Sequence, residues 1–302
     1  MSQPDVVKTL QDGKSWSAQA EEYKSFIKGH GGAVSNNPMQ NPLEKLMLTL
    51  NDTKPLSTAT AILDNGCGTG NGIARLFELY GSSIPSDARL IASDFSEGMM
   101  TVFRQTIKEK VDEGDALYKR LETEIWDTQD LSALPDNSLS HILSSFVLMM
   151  VPDPPKAFRE LHRVLAPSGV FAQTSWAFVP WLDFLQETRL IMRPDEKTES
   201  VGFKFPPSFQ SLDGVRKFYE DAGFVDVQVE WADGVMASND IDQFTHLFSR
   251  SKNPGLAAFF RGLDEKELEE MEKLMNKRLK EMFPDGKIEM VGKAVVSVGR
   301  KK

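Results

Sequence analysis

Ala61-Ile62-Leu63-Asp64-Asn65-Gly66-Cys67-Gly68-Thr69-Gly70-Asn71-Gly72 is the stretch on which the fold turns. A short apolar run ends in a carboxylate, and a glycine-rich turn follows at once. Over 71–80 the apolar residues Ile73, Leu76, Phe77 and Tyr80 recur with the helical period. The stretch therefore reads strand, turn, helix. Glycines there let the backbone turn sharply and approach a ligand with no Cβ in the way. The dinucleotide fingerprint G-x-G-x-x-G fits at Gly66 and Gly68 but fails at Asn71, because the third glycine comes one residue early at Gly70. No G-K-[ST] follows, so the turn is not a P-loop. Asp64 would repel a pyrophosphate and attract a ligand carrying an ammonium or a sulfonium. A structural turn without a ligand is the alternative.

Outward from this turn, strand and helix patterns alternate. A second short strand covers 89–94, and Ser96 caps the helix behind it, with Met99, Met100, Phe103 and Ile107 turned inward. Strands three and four are expected over 122–126 and 139–146. Asp153 with Pro154 and Pro155 starts a helix, since proline is tolerated in the first turn. Phe158, Leu161, Val164 and Leu165 form its buried face, Pro167-Ser168-Gly169 stops it, and a fifth strand covers 170–176. Such alternation with short links argues an α/β fold, a parallel sheet covered by helices on both faces. Ligands in such sheets sit at the carboxyl ends of the strands, near the switch point.

Residues 177–210 interrupt the alternation and read as an insertion. Beyond it come a helix over 211–222 closed by Gly223, a strand over 225–231, a helix over 240–250, a charged helix over 264–282 and a last strand over 288–298. The charge run reads as a solvated helix face. Before the glycine turn lie a helix over 17–28 (Ala20, Tyr23, Phe26, Ile27), Gly29-His30-Gly31-Gly32, and a helix over 42–50 (Leu43, Leu46, Met47, Leu50). The expected organisation is a single domain: a cap over 1–55, a core over 56–176, a lid over 177–210 and the rest of the core over 211–302.

Composition narrows the partners. The 302 residues are 40% hydrophobic and 26% charged, ordinary for a globular chain with a sizeable core. With 35 Lys+Arg against 44 Asp+Glu, the net charge is −9. That counts against nucleic acid as a partner, whose recognition rests on cationic contacts to phosphate. It also counts against docking on an anionic membrane. Cys67 is the one cysteine, so neither an intrachain disulfide nor a cysteine zinc cluster is possible. The histidines at 30, 141, 162 and 246 make no metal-ligand spacing on their own. No run approaches the ~18 apolar residues of a membrane span, and residues 1–17 are polar, without a signal-peptide core. A soluble cytoplasmic protein without a metal is expected, its oligomeric state left open.

Three carboxylates are expected at the ends of three successive strands: Asp64, Asp94 and Asp127. Asp94 is placed to accept two hydrogen bonds from a ribose diol, as in dinucleotide-binding folds. Asp127 is placed to accept the N–H of an exocyclic adenine amine. With these residues the chain resembles the class I S-adenosylmethionine-dependent methyltransferases, in particular the branch acting on small molecules of secondary metabolism. The resemblance runs through 62–72, through Ser93-Asp94-Phe95-Ser96 with Met99, and through 127–136. It continues over 151–169, where Phe158-Arg159-Glu160-Leu161-His162-Arg163-Val164-Leu165 leads into Ala166-Pro167-Ser168-Gly169, and at Ala222-Gly223-Phe224.

The resemblance implies a Rossmann-like fold with a mostly parallel seven-stranded sheet, an N-terminal helical cap and an inserted lid. It implies S-adenosyl-L-methionine as cofactor. Asp64 and the backbone of Gly66, Gly68 and Gly70 would border the methionine part, Asp94 would hold the ribose hydroxyls, and Phe95 and Met99 would pack by the adenosine. Asp127 would bind the adenine amine, the Thr128 N–H the ring, and Ser145 would lie close to the methionine carboxylate or amine. Trp16, Ala20 and Tyr23 match an N-terminal W…A-x-x-Y pattern, and the Tyr23 hydroxyl would reach the cofactor or the acceptor. Cys67 reads as a small buried filler rather than a nucleophile.

Two positions depart from the family pattern. Ser140 stands where an Asp is usual at the entry of strand four, and Met149 stands near where a His is frequent. The second change removes a base beside the methyl acceptor. His141 falls early in its strand and His162 on a helix face, while His30 and His246 either face the substrate or are structural. No catalytic residue is assigned, because an activated sulfonium mainly requires orientation of nucleophile and methyl group. Asp153-Pro154-Pro155-Lys156 resembles the D-P-P-Y motif of enzymes that methylate nucleic-acid bases, but it begins after strand four has ended and Lys156 replaces the aromatic. A helix start fits it better. The implied reaction is methyl transfer to O, N or C of a small, fairly apolar molecule. The alternative is a protein of this fold that binds the cofactor but acts as a non-methylating cyclase or a regulatory partner. Selectivity is expected in the cap, over 15–50, which offers Tyr23 and Phe26, and in the lid, where Trp176, Phe178, Trp181, Phe184, Phe203, Phe205 and Phe209 offer an aromatic lining unless they form a small core of their own.

Overall fold

The computed structural model describes residues 11–27 and 35–302. The elements are α1 (Gly13–Ser17), α2 (Ala20–Ile27), α3 (Gln40–Thr53), β1 (Ala61–Asn65), α4 (Asn71–Tyr80), β2 (Arg89–Ser93), α5 (Glu97–Asp112), α6 (Ala116–Arg120), β3 (Leu121–Glu124) and β4 (Leu139–Ser145). Then follow α7 (Pro154–Val164), β5 (Leu165–Phe178), α8 (Pro180–Met192), α9 (Leu212–Asp221), β6 (Val225–Ser238), α10 (Ile241–Arg250), α11 (Pro254–Ala257), α12 (Glu265–Met282) and β7 (Ile288–Arg300). The side chains of Phe26 and Ile27, and the segment around His30, lie outside the described residues.

A seven-stranded sheet runs in the order β3-β2-β1-β4-β5-β7-β6. Neighbours among β1 to β5 are parallel, and β7 is antiparallel. The strand order reverses between β1 and β4, so the switch point lies beside the glycine turn that leaves β1. All of β1 is buried, which explains its unbroken apolar start. Helix starts follow their caps. Ser96 Oγ accepts the Met99 N–H at 3.2 Å, and Asp153 accepts the Lys156 N–H at 3.0 Å with prolines in the first turn of α7. Asp-Pro-Pro is therefore a helix start, as expected.

The chain divides into two compact units. One holds the described part of Met1–Gln40 with Phe178–Lys204 and Asp233–Lys293, and the other holds Asn41–Ala177, Phe205–Ala232 and Ala294–Lys302. The division passes through both expected accessory segments, since 41–55 of the cap and 205–210 of the lid join the larger part of the sheet. In that unit Leu46, Leu50, Ile62, Ile73, Leu76 and Phe103 pack in one buried cluster. By strand alternation Phe171 points to the opposite face from Val170 and Ala172, and its ring meets Phe158 at 5.7 Å and Tyr219 at 5.4 Å. In the other unit buried Arg189 donates to the carbonyls of Phe259 and Arg261 at 3.0 and 2.8 Å and pairs with Glu196. Arg278 lies over the Phe184 ring at 4.9 Å.

Several expected boundaries move. The third strand ends at Glu124, before Trp126. Leu165 begins β5 instead of extending the helix, and β5 runs on to Phe178. Between Leu139↔Leu165 and His141↔Val170 the register shifts, so Pro167-Ser168-Gly169 loops out of the ladder, with Ser168 at φ 61°. The proline and glycine thus mark a bulge within a strand rather than the end of a helix. The insertion expected over 177–210 carries a helix, α8, in its first half.

Candidate functional site

The turn after β1 is built by backbone geometry that only glycine adopts freely. Gly66, Gly68 and Gly70 have φ of 72°, 54° and 89°. A Cβ on Gly66 would lie 2.4 Å from Val147 Cγ2, and one on Gly70 would lie 2.0 Å from Phe103 Cε2. The Gly66 and Cys67 N–H groups both donate to the Ser93 carbonyl, at 2.8 and 2.9 Å, which ties the turn to the end of β2. Cys67 is buried against Met100, Sγ to Sδ 3.6 Å, and burial pushes its thiol well above the ordinary value. It is a filler, as expected.

Two buried carboxylates flank the turn. Asp64 is 1% exposed and accepts the Ile73 N–H at 2.8 Å, capping the start of α4 from the strand before it. Burial raises its pKa from 3.8 to about 7; the Ile73 hydrogen bond opposes the rise, and the nearby Asp94 charge adds to it. Asp94 is buried too, with Oδ2 accepting the Gly68 N–H and Oδ1 the Ser96 N–H, each at 2.9 Å. Burial raises its pKa, and the two N–H groups oppose this. A carboxylate has about four acceptor positions, so Asp94 orders the turn and α5 while keeping capacity for another donor. Phe95 beside it is exposed and Met99 is buried.

The third carboxylate differs from its expected setting. Asp127 is exposed and lies past the end of β3, in a turn closed by its own bridge to Asp130. Its carboxylate accepts the Gln129 N–H at 2.8 Å and the Gln129 side-chain amide at 3.1 Å. Thr128 is buried, and its Oγ1 accepts from Asn65 Nδ2 at 2.8 Å. Asn65, the last residue of β1 and given no role by the sequence, also accepts from Ser144 at its carbonyl, 2.8 Å. It links β1, β4 and the Asp127 turn. Ser145 closes β4 with its hydroxyl 3.2 Å from Thr174 Oγ1. Tyr23 belongs to the other unit, where its ring meets Trp16 edge-on at 5.8 Å.

Beyond Ser145 the chain makes an outlier that the sequence did not announce. Phe146 has φ 60°, a conformation that costs a non-glycine residue about 1–3 kcal/mol. Its N–H donates to the Thr174 carbonyl at 3.0 Å and to Thr174 Oγ1 at 3.1 Å. The ring stacks on Trp176, centroids 4.5 Å apart at 23°. The Trp176 N–H in turn donates to Met149 Sδ at 3.0 Å. The methionine that replaces the family's frequent histidine is thus buried and engaged. Ser140, where an Asp is usual, donates to the Ala61 carbonyl at 2.8 Å and accepts the Thr60 and Ala61 N–H groups. His141 lies between Ser140 and the Lys54 carbonyl, and burial lowers its pKa to about 4. His246 is on a surface, 3.1 Å from Glu272.

A strand-switch site of buried carboxylates around a three-glycine turn, on this sheet order, defines a class of protein. By fold and relatives the chain belongs to the class I S-adenosylmethionine-dependent methyltransferases. A methyltransferase-domain family model matches residues 63–173. The chain is 30% identical to methyltransferase ucsB of an Acremonium species, over 98% of each chain. It is 28% identical to methyltransferase tpcH of Aspergillus fumigatus, over 56% of this chain and 58% of that one. Among solved structures, the YcgJ protein of Bacillus subtilis superposes with a TM-score of 0.52 at 17% identity, over 86% of this chain and 98% of that one, a likeness of fold.

Proposed function

We propose that the turn and its flanking carboxylates hold S-adenosylmethionine for methyl transfer to O, N or C of a small, fairly apolar molecule of fungal secondary metabolism. The observation that carries the reading is the pair Asp64 and Asp94, buried around a turn of three positive-φ glycines. The donor set fits the cofactor. Both carboxylates accept hydrogen bonds from backbone N–H groups, and such acceptors suit hydroxyls and cationic groups better than a pyrophosphate. When bound, the cofactor supplies a methyl group already activated as a sulfonium.

The chain's own residues orient and enclose. Asp94 would hold the ribose hydroxyls with its remaining acceptor positions, and Phe95 and Met99 would cover the adenosine. Asp64 and the backbone of Gly66, Gly68 and Gly70 would border the methionine part, with Ser145 near its polar end. Asp127 and Thr128 would meet the adenine, Asp127 by exchanging its bond to Gln129. Tyr23 is assigned by the family resemblance alone. No base is required of these residues, because alignment of nucleophile and methyl group supplies the main rate advantage. Incubation of the protein with S-adenosylmethionine and a panel of phenols, amines and enols, read by mass spectrometry, tests this. A methylated product with stoichiometric S-adenosylhomocysteine supports it; cofactor binding without transfer to any member counts against it.

A further inference from the structure

One residue along the chain from Asp94, Asp64 and Ser145 runs a row of buried polar side chains, Ser93, Asn65 and Ser144. Ser93 and Asn65 are register partners on β2 and β1, and Ser144 pairs with Gln173 on β5. The Ser144 hydroxyl donates to the Asn65 carbonyl at 2.8 Å and joins the two pairs. Gln173 Nε2 continues the row to Ser297 Oγ of β7, at 2.8 Å. The Asn65 amide instead reaches out of the sheet, with Nδ2 donating to Thr128 Oγ1 at 2.8 Å. We propose that Asn65 is a positioning residue for the adenine end of the cofactor. Through Thr128 it holds the Asp127–Thr128 turn ready for the base. The inference rests on the S-adenosylmethionine reading above and adds to it a residue that acts through another.

Three observations carry it. First, Asn65 is 1% exposed and Thr128 is buried. A buried amide without partners is costly, and this one bonds Thr128 and, at 3.4 Å, Ser144 Oγ. Second, Asn65 ends β1 and leads directly into Gly66. One residue therefore ties the strand beside the methionine part to the turn beside the adenine. Third, the exposed tie of that turn is exchangeable. Gln129 accepts the Asp153 N–H at 2.9 Å and donates to the Asp127 carboxylate at 3.1 Å. That tie runs through the carboxylate the base would take, so binding breaks it. The Asn65–Thr128 bond lies on the buried side and survives the exchange. Farther on, Leu131 is anchored separately to α7 by Glu160 and Arg163.

A loose turn must be ordered at each binding event, which opposes affinity, whereas a turn held in advance avoids that cost. The benefit goes to the group the turn touches. The glycine turn has holds of its own, from the Ser93 carbonyl and from Asp94. Ribose and methionine contacts should therefore outlast the loss of the Asn65–Thr128 bond.

Titration calorimetry on the whole chain compares S-adenosylhomocysteine with S-ribosylhomocysteine, which lacks the base. Wild type should bind the first at least about tenfold more tightly. Thr128→Val keeps the shape and removes the acceptor; Asn65→Ala removes the donor. Each should weaken S-adenosylhomocysteine about tenfold and leave S-ribosylhomocysteine within about threefold of wild type. The double variant should be little weaker than either single one, since both remove the same bond. Thr128→Ser restores the hydroxyl and should return the affinity to within about threefold of wild type. A merely structural role would weaken both ligands together, and that result overturns the inference. So do variants that bind S-adenosylhomocysteine as wild type does, a Thr128→Ser protein as weak as Thr128→Val, or a wild type that holds both ligands equally. If Asn65→Ala does not fold, the two Thr128 variants decide alone. A wild type that does not bind S-adenosylhomocysteine overturns the underlying reading as well, and the first titration shows it before any variant is compared.

Discussion

Asp94 carries more than one task. It accepts N–H groups from Gly68 and Ser96 and would also hold a ribose diol. Asp94→Ala should therefore weaken S-adenosylhomocysteine at least tenfold, since each charge-assisted bond is worth roughly 1.5–3 kcal/mol. Asp127→Asn should cost far less, because an amide keeps a carbonyl acceptor; calorimetry on both variants decides, and equal affinities for wild type and Asp94→Ala would remove the ribose role. Asp64 makes a prediction about pH. Its folded-state pKa is raised from 3.8 to about 7, so between those values the folded chain keeps a proton that the unfolded chain has released. Its contribution to stability is complete below about pH 4 and is lost as the pH rises through about 7. Raised Asp94 acts in the same sense. Asp64→Asn, whose carbonyl still accepts from Ile73, should flatten the fall in urea-unfolding free energy between pH 5 and pH 8; an unchanged slope would contradict the burial argument. Most of these residues were legible in sequence, because glycine spacing and a carboxylate after an apolar run are local signals. Asn65 and Thr174 were not. Asparagine and threonine are common at turns and in strands, and their roles here are set by partners far away in sequence, Ser144 and Phe146.

At the scale of elements, the turn tolerates no side chain at Gly70. Alanine there would combine a positive φ of 89° with a Cβ 2.0 Å from the Phe103 ring. Gly70→Ala should lose about 2–5 kcal/mol of stability, visible as a lower urea midpoint with an unchanged slope; a wild-type midpoint would mean that α5 yields freely. The helices were legible from apolar period and caps, as Ser96, Asp153 and Asp264 show. Strand ends were less so. Pro167-Ser168-Gly169 reads as a stop in any local window, and only pairing with β4 makes it a bulge. The aromatic residues of 177–210 differ in burial. Trp181, Phe184, Phe203 and Phe209 are buried, and Phe209 stacks on Phe218 at 4.9 Å, whereas Phe205 is only half-buried. Trp181→Ala should therefore destabilise by about 3–5 kcal/mol besides any effect on substrate. Phe205→Ala is the cleaner probe, expected to change acceptor KM or product profile with S-adenosylmethionine affinity within about threefold; unaltered kinetics toward every acceptor would exclude Phe205 from substrate choice.

For the whole molecule, the parallel pairing among β1 to β5 follows from the alternation of strand and helix. That is why α/β class was readable while the two-unit division was not. The division depends on how 178–204 and 233–293 pack with one another, and long-range packing leaves no periodic mark in the sequence. The acidic balance of −9 is a property of the surface rather than of the fold. Among the described residues no helix is long and apolar enough to cross a membrane. The central claim is that the turn between Asp64 and Asp94 is built for S-adenosylmethionine and not for a nicotinamide dinucleotide. Titration calorimetry of the purified chain with S-adenosylhomocysteine and, separately, with NAD tests it most directly. The account predicts saturable binding of S-adenosylhomocysteine that is lost in Asp94→Ala, and no measurable heat with NAD. Tight NAD binding with none for S-adenosylhomocysteine would contradict it.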